Sequence, residues 1–345
     1  MDDLLVSTAS GLFCPAGDFY VDPWCPVRSA VITHAHGDHA TPGSEHYLAT
    51  VDGMSILQAR LGADAQIQSL AYSEPLSLGD VTVSLHPAGH ILGSAQIRIE
   101  RRGEVWVVTG DYKTADDPTC LSFEPLHCHT LITESTFGLP VYRWEQQSLT
   151  FERINAWWQA NANAGIASMI FAYSLGKAQR LLSGLNPSIG PIFCHGAVER
   201  MNERYREAGV SLPETTYTGK TADRRAWAGA IIIAPTSAQG SAWLRRFGDL
   251  STAFVSGWMQ IRGARRRRAV DRGFALSDHA DWPELLNVIS SSGAERVLVT
   301  HGFVEPVVRW LRENGWQANP LHTELRGEPD EVAEPQDESQ SGGEP

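Results

Sequence analysis

The segment Thr33-His34-Ala35-His36-Gly37-Asp38-His39 decides how this chain is interpreted, because it places three imidazoles and one carboxylate within six residues. It follows the apolar run Ala30–Ile32, which is typical of the end of a buried strand. Gly37 permits the sharp turn that would direct the polar side chains into one space. Neutral imidazole and carboxylate are ligands that Zn²⁺ prefers. The segment therefore predicts a metal site at the end of a strand.

The length and composition allow one large α/β domain or two closely packed ones. The chain has 345 residues, of which 42% are hydrophobic and 11 are tryptophans, enough for a sizeable core. The start, Met1–Leu5, lacks a basic region, and no apolar run approaches about 20 residues, so we expect neither a signal peptide nor a membrane span. Five scattered cysteines without a C-x-x-C pair predict reduced thiols and a cytoplasmic location.

The net charge of −12 does not decide the partner. Seven acidic residues and no basic one follow Arg326, in a segment rich in Pro, Gly, Ser and Glu that predicts a disordered tail over 327–345. An acidic metal site also carries negative charge that bound cations would neutralise. A polyanionic substrate therefore remains compatible with the composition.

Four more predicted strands end near residues that can bind a metal or transfer a proton: His90, Asp111, Glu134 and His301. Val81–Leu85 alternates as a half-buried strand does, and Val105–Val108 closes a hairpin that begins at Ile97. Arg296–Thr300 is apolar enough for a buried parallel strand. The chemistry-bearing residues are thus expected at strand ends along most of the chain.

The pattern H-x-H-x-D-H over His34–His39 resembles the signature of the metallo-β-lactamase superfamily, and the segments around His90, Asp111 and His301 resemble its later metal motifs. The resemblance implies two Zn²⁺, with Mn²⁺ as an alternative metal. One ion would be held by His34, His36 and His90, and the other by Asp38, His39 and His301, with Asp111 bridging them. Asp22 would support the metal loop by hydrogen bonds, although an Asp before Pro23 is also typical of a turn.

A narrower resemblance begins at Ile132-Thr133-Glu134-Ser135-Thr136-Phe137-Gly138, which looks like motif A of the β-CASP branch of that superfamily. His279, in Leu276-Ser277-Asp278-His279, resembles motif B, and His301 resembles motif C. The resemblance implies an α/β fold, namely an αββα sandwich with an inserted small α/β domain. The sandwich would comprise 1–141 and 269–326, and the insert would span 142–268, where predicted strands and helices alternate.

The β-CASP branch consists largely of nucleic-acid-processing nucleases, so the resemblance implies phosphodiester hydrolysis by a hydroxide that two zinc ions activate. Asp38 would be essential to this reaction as a metal ligand. His279 would protonate the departing oxygen, and Glu134 would orient its imidazole and favour the charged form.

The segments Gly11–Trp24 and Gly257–Arg266 resemble a bacterial subgroup, the DNA exonucleases associated with ATP-dependent DNA ligase. This implies a DNA-repair exonuclease on single-stranded or end-containing DNA, with 5′-to-3′ polarity favoured, and an association with that ligase and a helicase. His301 departs from the Val that is common in DNA-preferring crosslink-repair relatives and matches RNA-processing members. A ribonuclease resembling mRNA 3′-end-processing enzymes is therefore the alternative.

Two other classes remain as hypotheses. A small-molecule metallo-hydrolase would share the metal ligands but would not explain the insert or the pairing of Glu134 with His279. A non-catalytic binding subunit would not require that every ligand position be occupied, as it is here.

Candidate nucleic-acid contacts lie in the second half of the chain. Lys177 follows Gly176 at a predicted helix start, where it would bind phosphate or remain an ordinary solvated lysine. Ser277 lies beside His279. Arg262, Arg265 and Arg266 belong to the strongest basic run, which would follow a phosphate backbone or reflect the general preference of this chain for Arg over Lys.

Overall fold

A computed structural model describes residues 3–220, 224–261, 263 and 269–323. Within these ranges the chain forms a mixed α/β fold of three sheets and six α-helices. None of the described helices combines the length and hydropathy needed to cross a bilayer. All five cysteines are free thiols. The predicted tail over 327–345 lies outside the described residues.

The first sheet contains six strands, ordered as they occur in the chain. They are β1 (Val6–Thr8), β2 (Gly11–Cys14), β3 (Phe19–Val21), β4 (Ser29–Val31), β5 (His46–Thr50) and β6 (Ile67–Leu70). Strands β1 to β3 are antiparallel, whereas β3 to β6 are parallel. The segment with the histidine cluster follows β4 directly, as predicted.

The second sheet contains seven strands in the order β19-β18-β11-β10-β9-β8-β7. They are β7 (Leu76–Leu78), β8 (Val81–Pro87), β9 (Ala95–Arg101), β10 (Glu104–Val108), β11 (Thr130–Ser135), β18 (Arg296–Gly302) and β19 (Gln317–Pro320). The predicted hairpin of β9 and β10 is confirmed, and β18 pairs in parallel with both neighbours. Because β18 pairs with β11, the segment Arg296–Gly302 belongs to the same sheet as the strands β7 to β11.

The third sheet is entirely parallel, with the order β14-β13-β15-β12-β16-β17. Its strands are β12 (Ala167–Phe171), β13 (Ile192–Cys194), β14 (Thr216–Tyr217), β15 (Ile231–Ala234), β16 (Leu250–Val255) and β17 (Arg272–Phe274). The predicted end of the insert at 268 falls before β17, which pairs with β16. The third sheet therefore continues beyond residue 268 to Phe274.

The six helices cover the sheets. They are α1 (Met54–Leu61), α2 (Gln147–Asn163), α3 (Lys177–Ser183), α4 (Gly196–Glu207), α5 (Trp282–Ser291) and α6 (Val304–Glu313). Helix α5 begins with a capping box, in which Asp281 accepts from the Glu284 backbone and Glu284 accepts from the Asp281 backbone. This cap fixes the chain just after His279.

Alternating side chains place the cores between the layers. Val83 and Ile97 of the second sheet pack against Phe19 and Val31 of the first in one buried cluster. The opposite faces are covered by α1 on the first sheet and by α5 and α6 on the second. The third sheet buries both faces, as its near-continuous apolar strands require. Because the first two sheets pack face to face, strand ends from both sheets meet at one edge of this pair of sheets.

Candidate metal centre

Four buried residues form the first group at this edge: His34, His36, His90 and Asp111. Their potential ligand atoms lie within 4.8 Å of one another. His36 Nδ1 is 3.1 Å from both His34 Nε2 and His90 Nε2. They follow β4, β8 and β10, three strands that end at the same edge. Long-range strand pairing thus brings together residues that are far apart in the chain.

The second group consists of Asp38, His39 and His301. Asp38 Oδ2 is 3.8 Å from Nε2 of each histidine. His301 has a φ of 58°, in the left-handed region that costs a non-glycine residue about 1 kcal/mol or more. Such strain persists where surrounding structure imposes it. Here it turns the His301 ring back from the end of β18 toward Asp38.

Asp111 lies between the two groups. Its Oδ2 is 3.6 Å from His34 Nε2 and 3.5 Å from His39 Nε2, and its Oδ1 is 3.9 Å from His301 Nδ1. Gly110, with a φ of 57°, permits this approach because a Cβ there would lie 2.7 Å from the Thr33 side chain. The structure therefore brings together all seven side chains predicted as ligands.

Several atoms of these groups have no hydrogen-bond partner among the described residues. Asp38 Oδ1, His39 Nε2, Asp111 Oδ1 and His301 Nε2 are buried without a hydrogen bond to the described residues. An unsatisfied buried polar atom costs about 1–3 kcal/mol. All four belong to the predicted ligands, and they face one space. The donor set of imidazole and carboxylate therefore fits a pair of divalent cations.

The electrostatics of three of these ligands agree with this fit. Burial lowers the pKa of His34 and His90 well below its usual value, which keeps both rings in the neutral form that binds metal. Burial also raises the pKa of Asp38. Since that carboxyl is costly to ionise in a buried site without a cation, a bound cation would stabilise it.

Asp22 holds the metal loop from behind. Its Oδ2 is 2.7 Å from His39 Nδ1, its Oδ1 accepts from the Thr33 backbone at 2.8 Å, and the Thr33 hydroxyl donates to its Oδ2 at 2.6 Å. These contacts direct His39 Nε2 toward Asp111. A carboxylate that orients a ligand imidazole in this way also increases its basicity.

Glu134 and His279 lie next to the first group. His279 Nδ1 is 3.0 Å from Glu134 Oε2 and 3.1 Å from Oε1, and both side chains are buried. The Tyr112 backbone N–H donates to Glu134 Oε1 at 2.7 Å and holds the carboxylate in place. The predicted pairing is present in the structure, and its catalytic role stays a prediction.

Lys177 differs from its prediction. Its side chain is 2% exposed, and its Nζ lies 3.2 Å from Asp278 Oδ1, so the ammonium meets a carboxylate rather than solvent. Ser277 is also buried, and its Oγ accepts from the His279 backbone. Neither side chain is positioned as a surface phosphate contact. Arg262, Arg265 and Arg266 lie outside the described residues.

Sequence reasoning missed Arg180, which is fully buried three residues after Lys177. Its Nε lies 2.5 Å from Asp117 Oδ2, and its Nη1 and Nη2 donate to the carbonyls of Ser277 and Gly89 at 3.3 and 3.2 Å. Gly89 precedes His90 and Ser277 precedes Asp278. Arg180 thus ties helix α3 to two loops of the metal centre. In the sequence, the only local indication of this role was that Arg180 lies three residues after Lys177.

We expect Arg180→Met to lower the free energy of unfolding by about 3–5 kcal/mol, because it leaves the Asp117 carboxylate buried without its cation. Urea denaturation measures the change. Arg309→Met is the matched control, since that guanidinium is 81% exposed and its ion pair with Glu313 lies at the surface. A loss for Arg180→Met no larger than that of the control would contradict the expectation.

No family model matches the chain. It is 31% identical over 336 residues to a probable DNA ligase of Opitutus terrae, a match that covers 95% of this chain and 32% of that protein. Endoribonuclease YSH1 of Gibberella zeae is 32% identical over 130 residues, covering 36% of this chain and 15% of that one. Cleavage and polyadenylation specificity factor 73 of Drosophila melanogaster is 26% identical over 172 residues, covering 46% and 25%. The chain spans about a third or less of the length of these relatives.

One solved structure, a protein of unknown function from Enterococcus faecalis V583, superposes with a TM-score of 0.57. It is 12% identical and covers 86% of this chain, with 79% of its own length matched. At this identity the likeness concerns the fold alone. It extends over most of the three-sheet arrangement.

Proposed function

Because this chain belongs to the β-CASP branch of the metallo-β-lactamase superfamily, we propose that it is a metal-dependent nuclease that hydrolyses phosphodiester bonds. The observation that carries the proposal is the convergence of seven ligand side chains from four separate segments. Four of these side chains have a buried atom without a hydrogen bond to the described residues. The two face-to-face sheets with their covering helices would be the αββα sandwich. The third sheet would be the β-CASP insert, extended to β17.

The proposed cofactor is a pair of Zn²⁺ ions, with Mn²⁺ as the alternative. His34, His36, His90 and Asp111 would hold one ion, and Asp38, His39 and His301 would hold the other with Asp111 between them. When bound, two such cations lower the pKa of water and offset the charge that builds up on a phosphodiester. Asp22 keeps the His39 ring in the orientation that this requires.

The side chains around the centre supply the proton transfer. His279 would donate a proton to the departing oxygen, which is a poor leaving group as an alkoxide. Glu134 holds Nδ1 of this ring and stabilises its cationic form. Asp281 fixes the segment that follows, because it caps α5 and also accepts from the Trp144 backbone at 2.6 Å. The proton donor is therefore held from both sides.

The favoured substrate is DNA, and the favoured role is that of a DNA-repair exonuclease acting on single-stranded or end-containing DNA, with 5′-to-3′ polarity. The name of the Opitutus terrae relative, a probable DNA ligase, supports a DNA context and the proposed association with an ATP-dependent ligase. Association with a helicase rests on the sequence resemblance alone. The cytoplasm is the proposed location.

Ribonuclease activity is the alternative, and two observations favour it. Two relatives are named for endoribonuclease or for cleavage and polyadenylation. His301 lies in the candidate metal centre, and by the sequence resemblance a histidine at this position is typical of RNA-processing members. DNA and RNA oligonucleotides of one sequence, each labelled at either end, distinguish a DNA exonuclease from a ribonuclease. Faster shortening of the DNA from its 5′ end is expected. A clear preference for RNA would reject the DNA exonuclease in favour of the ribonuclease.

A further inference from the structure

The segment between β12 and α3 belongs to the third sheet, yet it lies directly against the first group of metal ligands. The Leu175 carbonyl is 3.3 Å from His36 Nε2. A Cβ at Gly176 would lie 2.2 Å from Ile91 Cγ2, so only glycine allows this close approach to the residue that follows His90. The part of the chain that carries the third sheet therefore contacts two of the loops that hold the first metal site.

Two backbone carbonyls fix the orientation of two ligand rings. Because a carbonyl oxygen can only accept, Nε2 of His36 donates to Leu175, and Nδ1 of His90 donates to the Asp278 carbonyl at 2.8 Å. In the neutral rings, His36 Nδ1 and His90 Nε2 are then both acceptors, and they face each other at 3.1 Å. Two facing lone pairs repel each other unless a cation lies between them. The Asp278 carbonyl therefore supports a ring of the first metal site from behind.

Lys177 holds the residue that supplies this carbonyl. It is the first residue of α3, and its Nζ lies 3.2 Å from Asp278 Oδ1. Both side chains are 2% exposed, so the ion pair compensates two charges that are withdrawn from water. Asp278 Oδ1 also lies 3.9 Å from His279 Nε2. One ion pair between α3 and the segment before α5 thus holds a residue that contacts a metal ligand and adjoins the candidate proton donor.

We propose that Lys177 is a positioning residue for the metal centre. Its ammonium fixes Asp278, and the Asp278 carbonyl directs the His90 ring so that Nε2 points at the first metal site. A lysine that served stability alone could be replaced, together with its carboxylate, by a neutral pair of similar size without any effect on metal binding. The inference rests on the proposed nuclease function, and it adds that α3 of the third sheet sets the metal affinity of the centre.

The test compares Lys177→Met with the double variant Lys177→Met/Asp278→Asn. The single substitution leaves the Asp278 carboxylate buried without its cation, whereas the double variant removes both charges and keeps the backbone carbonyl. The affinity for Zn²⁺ is measured by competition with a chromophoric chelator, and circular dichroism reports the fold. In both variants we expect the affinity for one of the two cations to fall about tenfold to a hundredfold, the usual cost of losing the support behind a ligand histidine. The other cation, near the His39 ring that Asp22 holds, should keep its affinity.

Lys220→Met is the matched control, because it removes the same ammonium group from an exposed lysine that follows β14. This variant should keep the wild-type affinity for both cations. Visible absorption of the Co²⁺-substituted protein is a second readout, since the bands of Co²⁺ depend on the geometry of its ligands. The spectrum should change in both Lys177 variants and remain unchanged in the control.

Wild-type zinc affinity in the folded double variant would overturn the proposal. Equal weakening of both cations, or a double variant that does not fold, would also overturn it, because the ion pair would then serve the structure as a whole. If only the single variant unfolds, the double variant decides. The nuclease has a separate readout, the hydrolysis of oligonucleotides by the wild-type protein. Selective loss of one cation in both Lys177 variants, when the zinc-loaded wild type cleaves no oligonucleotide, would reject the nuclease and retain the positioning role.

Discussion

Asp38→Ala is expected to reduce oligonucleotide cleavage by about a thousandfold or more while the protein stays folded, because the cations supply several kcal/mol of transition-state stabilisation. Asp38 is 3.8 Å from both histidines of the second group, so its loss removes the carboxylate of that group. The fold should tolerate the change, since Asp38 Oδ1 has no hydrogen bond to the described residues. Initial rates of cleavage and circular dichroism measure the two effects.

Asp64→Ala is the matched control for this substitution, because Asp64 is exposed and lies outside both groups. The control should keep the wild-type rate and the wild-type metal content. Asp38→Ala protein with wild-type activity would show that the second group takes no part in catalysis. An unfolded variant would show instead that Asp38 is needed for the structure.

His279→Ala is expected to lower kcat on oligonucleotides by about a hundredfold to ten-thousandfold, the usual contribution of a positioned general acid. The leaving group separates this role from a structural one. A p-nitrophenyl phosphodiester releases a phenolate that needs little protonation, so its hydrolysis should fall much less. Metal content should remain unchanged, since the predicted ligands do not include His279. His46→Ala, on an exposed histidine, is the control.

Glu134→Gln extends the test of the general acid. The amide keeps the shape of the side chain but removes the negative charge beside His279 Nδ1, so we expect a smaller loss in the same direction. If His279→Ala reduced the hydrolysis of both substrates equally and also released metal, His279 would act as a ligand rather than as a proton donor.

The metal centre was predictable because its signal is local. Each ligand lies at or after the end of an apolar strand. The carboxyl ends of parallel strands meet at one edge of a sheet, so Asp111 and His301 of the second sheet could be expected to converge. The sequence also indicated the hairpin before Asp111. What it did not contain is the distance between the groups, which depends on how the two sheets pack.

The buried ion pairs could not be predicted in the same way. Lys177 meets Asp278, and Arg180 meets Asp117, across long separations in sequence that leave no periodic pattern. At the sequence level a lysine beside a helix start has the features of a surface residue, and only the fold shows that it is covered.

Metal content of the wild-type protein tests the central claim most directly. The protein should be purified without chelators, reconstituted with Zn²⁺ and with Mn²⁺, and analysed by inductively coupled plasma mass spectrometry. We predict two divalent cations per chain, and their removal should abolish hydrolysis until metal is restored. A protein that binds no cation after reconstitution, and still cleaves oligonucleotides in the presence of a chelator, would contradict the proposed metal centre.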